Sequence, residues 1–177
     1  DKKTILFFGG GEFGLGKTQT VEIFESLIRD FNYLQVIAIS GKNPKMKESF
    51  NNIVQKYNKE NSVKILEYTN QVPELMSISD LVVSKPGGLT TSESLASNLP
   101  MIIINPIPGQ EEENAEFLES KGPGIWLRKN DSSREVLKSI IDDSTKLKEM
   151  KKNTEQLAKK HSTDDICNVL LETFSQR

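Results

Sequence analysis

Leu81-Val82-Val83-Ser84-Lys85-Pro86-Gly87-Gly88-Leu89-Thr90-Thr91-Ser92-Glu93-Ser94-Leu95-Ala96-Ser97-Asn98-Leu99-Pro100-Met101-Ile102-Ile103-Ile104 reads as a complete strand–helix–strand unit. Residues 81–84 and 101–104 are short apolar runs rich in Val and Ile, bounded by Ser, Pro and Asn. Neither alternates apolar with polar residues, so both faces of each strand are buried. That is the pattern of a parallel sheet covered by helices. Between them Pro86-Gly87-Gly88 ends the first strand, and a helix follows over 89–98.

The same unit repeats in both directions. Further strands are expected at 4–9, 34–40, 63–67 and 124–127, with the two central ones at 81–84 and 101–105. Helices are expected at 17–31, 44–58, 72–77, 111–120, 132–142, 144–160 and 163–175. Alternation of this kind implies an α/β fold, a doubly wound parallel sheet of Rossmann-like type. Ligands of such folds bind outside the carboxyl ends of the strands. The Lys-rich stretch 146–160 carries Leu147, Met150 and Leu157 at helical spacing, which makes its lysines a solvated helix face.

Composition narrows the function. A chain of 177 residues with 36% apolar residues can bury one sizeable core, so residues 1–177 are read as one domain. No apolar run approaches the ~20 residues of a membrane span. The net charge of −2 gives no basic excess for nucleic acid. One Cys and one His exclude a disulfide framework and Cys/His metal clusters, and the single thiol fits a reducing compartment. His161, between the last two helices, reads as a surface residue rather than a base. The chain opens Asp1-Lys2-Lys3-Thr4 and enters a strand at once. A further domain is therefore expected before Asp1.

The loop after the first strand, Gly9-Gly10-Gly11-Glu12-Phe13-Gly14-Leu15-Gly16-Lys17-Thr18, fits two phosphate-binding patterns. Gly9-x-Gly11-x-x-Gly14 matches a dinucleotide fingerprint, and Gly11 to Thr18 matches a P-loop. Both patterns bring backbone N–H groups to a phosphate at a helix N-terminus. A dinucleotide fold needs an acid near the end of its second strand, but that strand ends Ile39-Ser40-Gly41-Lys42. A P-loop NTPase needs a strand ending in Asp, but 81–84 ends in Ser84 and 101–105 in Asn105. Three readings then remain: a phosphate- or sugar-facing loop of another kind, which these missing acids favour, a turn without a ligand, and a true P-loop.

The segment from Ser84 to Asn114 offers a second anion site. Gly87 and Gly88 allow close backbone approach, and the following helix N-terminus presents unpaired N–H groups and a positive dipole end. This suits a diphosphate. Glu93, one turn in, can accept hydrogen bonds from both hydroxyls of a ribose. A structural reading stands beside it, since Thr90-x-x-Glu93 is also a capping box. After the next strand, Pro106-Ile107-Pro108-Gly109 leads into Gln110-Glu111, whose donors and acceptors can read the vicinal hydroxyls of a sugar. Acids in a first helical turn also complement the dipole, which accounts for Glu112 and Glu113.

At the level of motifs, Lys85-Pro86-Gly87-Gly88-Leu89-Thr90-x-x-Glu93 and Pro106-x-Pro108-Gly109-Gln110-Glu111-x-x-Asn114 resemble the C-terminal donor-binding domain of GT-B glycosyltransferases. The branch is that of monogalactosyldiacylglycerol synthase and the processive diacylglycerol glucosyltransferases, related to the peptidoglycan N-acetylglucosaminyltransferase. The resemblance implies the C-terminal half of a GT-B fold. It implies that Glu93 holds the ribose, Gln110 and Glu111 the donor sugar, and Gly88, Leu89 and Thr90 the diphosphate, with Gly87 and Asn114 among the binding residues of the same motifs. Tyr68, Thr69 and Asn70 would pin the uracil, and Gly10, Gly11, Glu12 and Phe13 would close over the donor.

The implied activity is inverting hexosyl transfer, of glucose or galactose, from a UDP-sugar to a diacylglycerol-type lipid. No cofactor or metal is expected, because the sequence has no Asp-x-Asp motif and helix N-termini would hold the leaving group. No catalytic residue is expected in this chain. The base and the lipid acceptor site would belong to the preceding domain, toward which helix 163–175 would pack. That domain would also make any contact with the membrane surface, at the cytoplasmic face. A P-loop NTPase, a GT-B-type nucleotide-sugar epimerase and a non-catalytic donor-binding subunit remain the alternatives.

Overall fold

The computed structural model describes residues 2–10 and 17–175. Gly11, Glu12 and Phe13, expected over the donor, lie outside them. Chain order is β1 (Thr4–Phe8), α1 (Lys17–Asp30), β2 (Gln35–Ile39), α2 (Pro44–Lys56), β3 (Val63–Leu66), α3 (Val72–Ser77), β4 (Leu81–Ser84), α4 (Gly88–Ala96), β5 (Met101–Ile104), α5 (Gln110–Lys121), β6 (Gly124–Leu127), α6 (Ser133–Ile141), α7 (Ser144–Leu157) and α8 (Ser162–Ser175). Every expected element forms, with ends displaced by a few residues at most. The largest difference is in α7, which stops at Leu157 rather than running to residue 160 because Ala158 leaves the helix with an extended ψ of 125°.

The six strands form one sheet in the order β3-β2-β1-β4-β5-β6, and every neighbouring pair is parallel. Side-chain alternation splits the core into two layers. Ile5, Phe7, Val36, Ala38, Leu81, Val83, Ile102 and Ile104 face α1, α2, α6 and part of α7. Leu6, Val82, Met101 and Ile103 face α3, α4 and α5. In the first layer Phe7, Phe24 and Phe50 form an aromatic cluster with centroids 4.1 to 5.7 Å apart. Gly9, just past β1, packs against it, and a Cβ there would lie 2.9 Å from Met46 and 3.2 Å from Phe50.

Helix α7 covers the edge between the layers. Leu147, Met150 and Thr154 are buried while its lysines stay outside, as the helical spacing implies. His161 is exposed and lies 3.9 Å from Asp164. Along α8 Ile166, Val169, Leu170, Leu171 and Phe174 are all at least half exposed.

Asp80 ties three elements together at the amino ends of the strands. Its carboxylate accepts the Thr4 N–H at 3.0 Å and the Lys151 ammonium at 2.9 Å, while its own N–H donates to the Thr4 carbonyl at 2.8 Å. Partial burial works against its charge, but these partners outweigh burial and hold the carboxyl below the ordinary Asp range. A depressed carboxyl pKa stabilises the fold above the unfolded-state value, and the contribution is lost as pH falls through the folded value. Asp80→Asn is therefore expected to cost about 1 kcal/mol at pH 7 and to approach the parent in stability as pH falls below the ordinary Asp range. Urea midpoints across pH test this. A difference independent of pH would contradict it.

Candidate functional site

Because all six strands run the same way, the loops after β1, β2, β3, β4 and β5 gather at one rim. Strand order reverses between β1 and β4, which parts the connections and opens a crevice there. A cleft of about 340 Å³ occupies that point. Its walls come from the ends of four strands, through Phe8, Ile39, Tyr68 and Ser84, together with Gly87 and Thr90 at the start of α4 and Glu111 at the start of α5.

The starts of α4 and α5 are built differently from those of α2, α6 and α7. Asn43, Ser132 and Asp143 cap α2, α6 and α7 with side-chain oxygens. Helices α4 and α5 begin at Gly87 and Gly109, and neither has a capping side-chain hydrogen bond. Their first N–H groups and positive dipole ends are left toward the rim. Thr90 lies inside α4 rather than at its N-cap, so the Thr90-x-x-Glu93 capping box does not form. Glu93 is exposed, and its carboxylate makes no hydrogen bond or ion pair with any described residue.

The two helix starts face one another. A Cβ on Gly87 would lie 3.8 Å from Glu111 Oε1, and one on Gly88 would lie 4.0 Å from Gln110 Nε2. The Asn114 amide donates to the Pro86 carbonyl at 2.8 Å and clamps α5 onto the Pro86-Gly87-Gly88 turn. Glu111 Oε2 accepts the Ile107 N–H at 2.7 Å, which closes the loop leading into α5 and leaves Oε1 directed at α4. Gly109 makes this turn possible, since its φ of 98° and ψ of −127° belong to a region that L side chains rarely enter.

Of the residues singled out in the sequence, Gly10, Tyr68, Thr69, Gly87, Thr90 and Glu111 line the cleft. Gly88, Gln110 and Asn114 stand beside it through the contacts just described. Asn70 is exposed at the rim, and Leu89 is exposed on the first turn of α4. Tyr68 is 69% exposed, and Lys42 lies 5.2 Å from its ring centroid. Thr69 Oγ1 accepts the Gln71 N–H at 3.1 Å and fixes the turn into α3. Ile39, Gly41 and Val72 complete the wall but carry no polar pattern that would mark them in the sequence. Lys85 also lines the cleft, and its signal was its place at the head of the Pro-Gly-Gly motif. It is half-buried and has no hydrogen bond or ion pair to any described residue. No group of three or more His, Cys, Asp or Glu among the described residues is placed to hold a metal ion. No helix among them is long and apolar enough to cross a membrane.

Comparison with known proteins places this architecture. Residues 4–169 match the family described as glycosyltransferase family 28 C-terminal domain. The chain is 37% identical over 172 residues to a processive diacylglycerol beta-glucosyltransferase of Staphylococcus aureus (strain JH9), covering 97% of this chain and 43% of that protein. It is 33% identical over 172 residues to the protein of the same name from Bacillus pumilus, covering 97% and 44%. The chain thus spans less than half the length of these relatives. Among solved structures, Acinetobacter baumannii MurG superposes with a TM-score of 0.76 at 19% identity, over 97% of this chain and 50% of that one. S. aureus MnaA, solved with UDP, superposes with a TM-score of 0.75 at 19% identity, over 99% and 47%. These two likenesses establish the fold, a Rossmann-like sheet of the GT-B C-terminal type.

Gly109→Ala is expected to destabilise the chain by about 1–3 kcal/mol, because a Cβ meets open space there and the whole effect is backbone strain. Gly88→Ala, in a helical conformation with its nearest neighbour 4.0 Å away, is expected to be close to neutral for stability. Thermal unfolding of the two variants checks the contrast, and equal effects would refute it.

Proposed function

We propose that this chain, which belongs to the glycosyltransferase family 28 C-terminal domain family, is the donor-binding half of a UDP-sugar-dependent hexosyltransferase that glucosylates or galactosylates a diacylglycerol-type lipid. The observation that carries the reading is the meeting of two uncapped helix starts at the strand-order reversal, with Gln110 and Glu111 facing Gly88 and Gly87.

Each part of a UDP-sugar has a matching surface. The uracil lies along the rim formed by Tyr68, Thr69 and Asn70. Glu93 has no structural partner among the described residues and accepts hydrogen bonds from the ribose hydroxyls. The diphosphate sits on the N–H groups of Gly88, Leu89 and Thr90, where the α4 dipole favours negative charge. Gly87 keeps that approach open, and Gly10 bounds the cleft from the first loop. Gln110 and the free oxygen of Glu111 read the sugar hydroxyls, while Asn114 holds their helix against the diphosphate turn.

As the anomeric carbon is attacked by the acceptor hydroxyl, the bond to the diphosphate breaks and negative charge grows on the departing oxygen. Fixed N–H dipoles aimed at that position stabilise it without reorganising. The general base that takes the acceptor proton, and the lipid site itself, belong in this reading to another domain of the full-length protein, which works at the cytoplasmic face of the membrane. The apolar residues of α8 (Ile166, Val169, Leu170, Leu171 and Phe174) are the surface on which that domain packs.

Titration calorimetry of the chain with UDP and UDP-glucose tests the reading. UDP binding is expected, weakened roughly 10- to 100-fold by Glu93→Ala, the loss of hydrogen bonds to a charged group. Gln110→Ala should leave UDP affinity within about twofold and reduce the extra affinity for UDP-glucose, since only the sugar touches it. Absence of UDP binding, or a silent Glu93→Ala, would overturn the assignment.

A further inference from the structure

Lys85 belongs to two walls. On its other side lies a separate cavity of about 380 Å³ between the ends of β5 and β6, which among the described residues shares only Lys85 with the donor cleft. Its lining divides by chemistry. Lys85, Arg128 and Lys129 supply the charge, Asn105 and Gln19 supply amides, and Pro106, Ile107, Pro108 and Trp126 make an apolar wall. No carboxylate lines it among the described residues.

The arginine is held in place. Arg128 makes a two-pronged pair with Glu119 at 2.7 and 3.0 Å and stacks over the Trp126 ring at 4.7 Å. Glu119 neutralises that guanidinium. Lys85 and Lys129 line the cavity and have no ion-pair partner among the described residues, in a chain whose net charge is −2. Ammonium groups on flexible stems suit a phosphate as point charges. The volume exceeds that of a bare phosphate, and the apolar wall suits a carbon substituent.

We propose that the cavity between the ends of β5 and β6 is a second anion site, distinct from the donor cleft, that binds a phosphate ester with a small organic body. Lys85 and Lys129 grip the phosphoryl oxygens, and the organic part rests on Pro106, Ile107 and Trp126. The ester comes from a soluble metabolite or from a lipid headgroup, since both present the same group.

Trp126 is the single tryptophan of the sequence, so its fluorescence reports on this cavity directly. Titration with sn-glycerol 3-phosphate is expected to give a saturable change that glycerol does not give. The change should persist with the donor cleft saturated by UDP and weaken at least about tenfold in Lys129→Glu, which places a like charge on the ligand. Lys129 lies outside the donor cleft, so UDP binding by this variant should match the parent. Phosphatidylglycerol vesicles, compared with phosphatidylcholine vesicles, distinguish the sources: a response to the charged vesicles assigns a headgroup, and a response to the free ester alone assigns a soluble ligand.

No response to either ester, an equal response in Lys129→Glu, or complete displacement by UDP would overturn the proposal. The titration without UDP reads the cavity whatever calorimetry finds in the donor cleft, so failure of one assignment is distinguishable from failure of the other.

Discussion

The parallel pairing of β1 with β4, Ile5 to Phe7 against Leu81 to Val83, is the contact on which the rest of the molecule depends. The chain winds outward from it in both directions, to β2 and β3 on one side and to β5 and β6 on the other. The connections on the two sides cover opposite faces, because crossovers between parallel strands are right-handed. Helices α1 and α4, which follow β1 and β4, therefore pack on opposite faces of the sheet, and this parting opens the crevice between their strands. The reciprocal Thr4–Asp80 bonds fasten the same pair from its other end, 2.8 and 3.0 Å long. One strand pair thus fixes both the stability of the sheet centre and the position of the cleft.

The polar architecture of that cleft follows from where capping is withheld. Helices α2, α6 and α7 satisfy their first N–H groups internally, whereas α4 and α5 begin at glycines and keep theirs for water or a ligand. Polar side chains of α5 bond the neighbouring loops instead. Asn114 holds the Pro86 carbonyl, and Glu111 holds the Ile107 N–H. The apolar layers beneath, with Val83 and Ile102 on one face and Val82 and Ile103 on the other, give both helix starts a rigid base.

Much of this was legible in the sequence because the signals were local. The uniformly apolar runs at β4 and β5 fixed a two-sided parallel sheet, and the Pro-Gly-Gly and Pro-x-Pro-Gly turns fixed where helices begin. The site was legible only in part. Tyr68, Thr69, Gly87 and Thr90 fall on the cleft, since loops after parallel strands share one rim. Glu93 stood between two roles that spacing could not separate, and the structure removes one by placing the N-cap at Gly87. Lys85 stood at the head of a quoted motif, but its place in two walls is relational. A lysine between a strand and a Pro-Gly-Gly turn has no periodic or chemical oddity, and only the folded rim makes it a partition between two cavities. Ile39, Gly41 and Val72 escaped because wall residues without polar atoms are indistinguishable from core residues in a linear sequence.

The segment from Asn105 to Asn114 is anchored at four points: by Asn105 Nδ2 to Thr20 Oγ1 at 2.9 Å, by Glu111 to Ile107, by the Gly109 turn, and by Asn114 to Pro86. Its conformational freedom has already been surrendered at folding. A ligand that meets this segment therefore does not have to order its backbone, and the entropy of loop closure drops out of its affinity. The same anchoring limits adaptation, since an epimeric sugar would face side chains whose backbone cannot shift to follow its hydroxyls. Altering the preference of such a site would require rebuilding the loop rather than exchanging the residues at its tip.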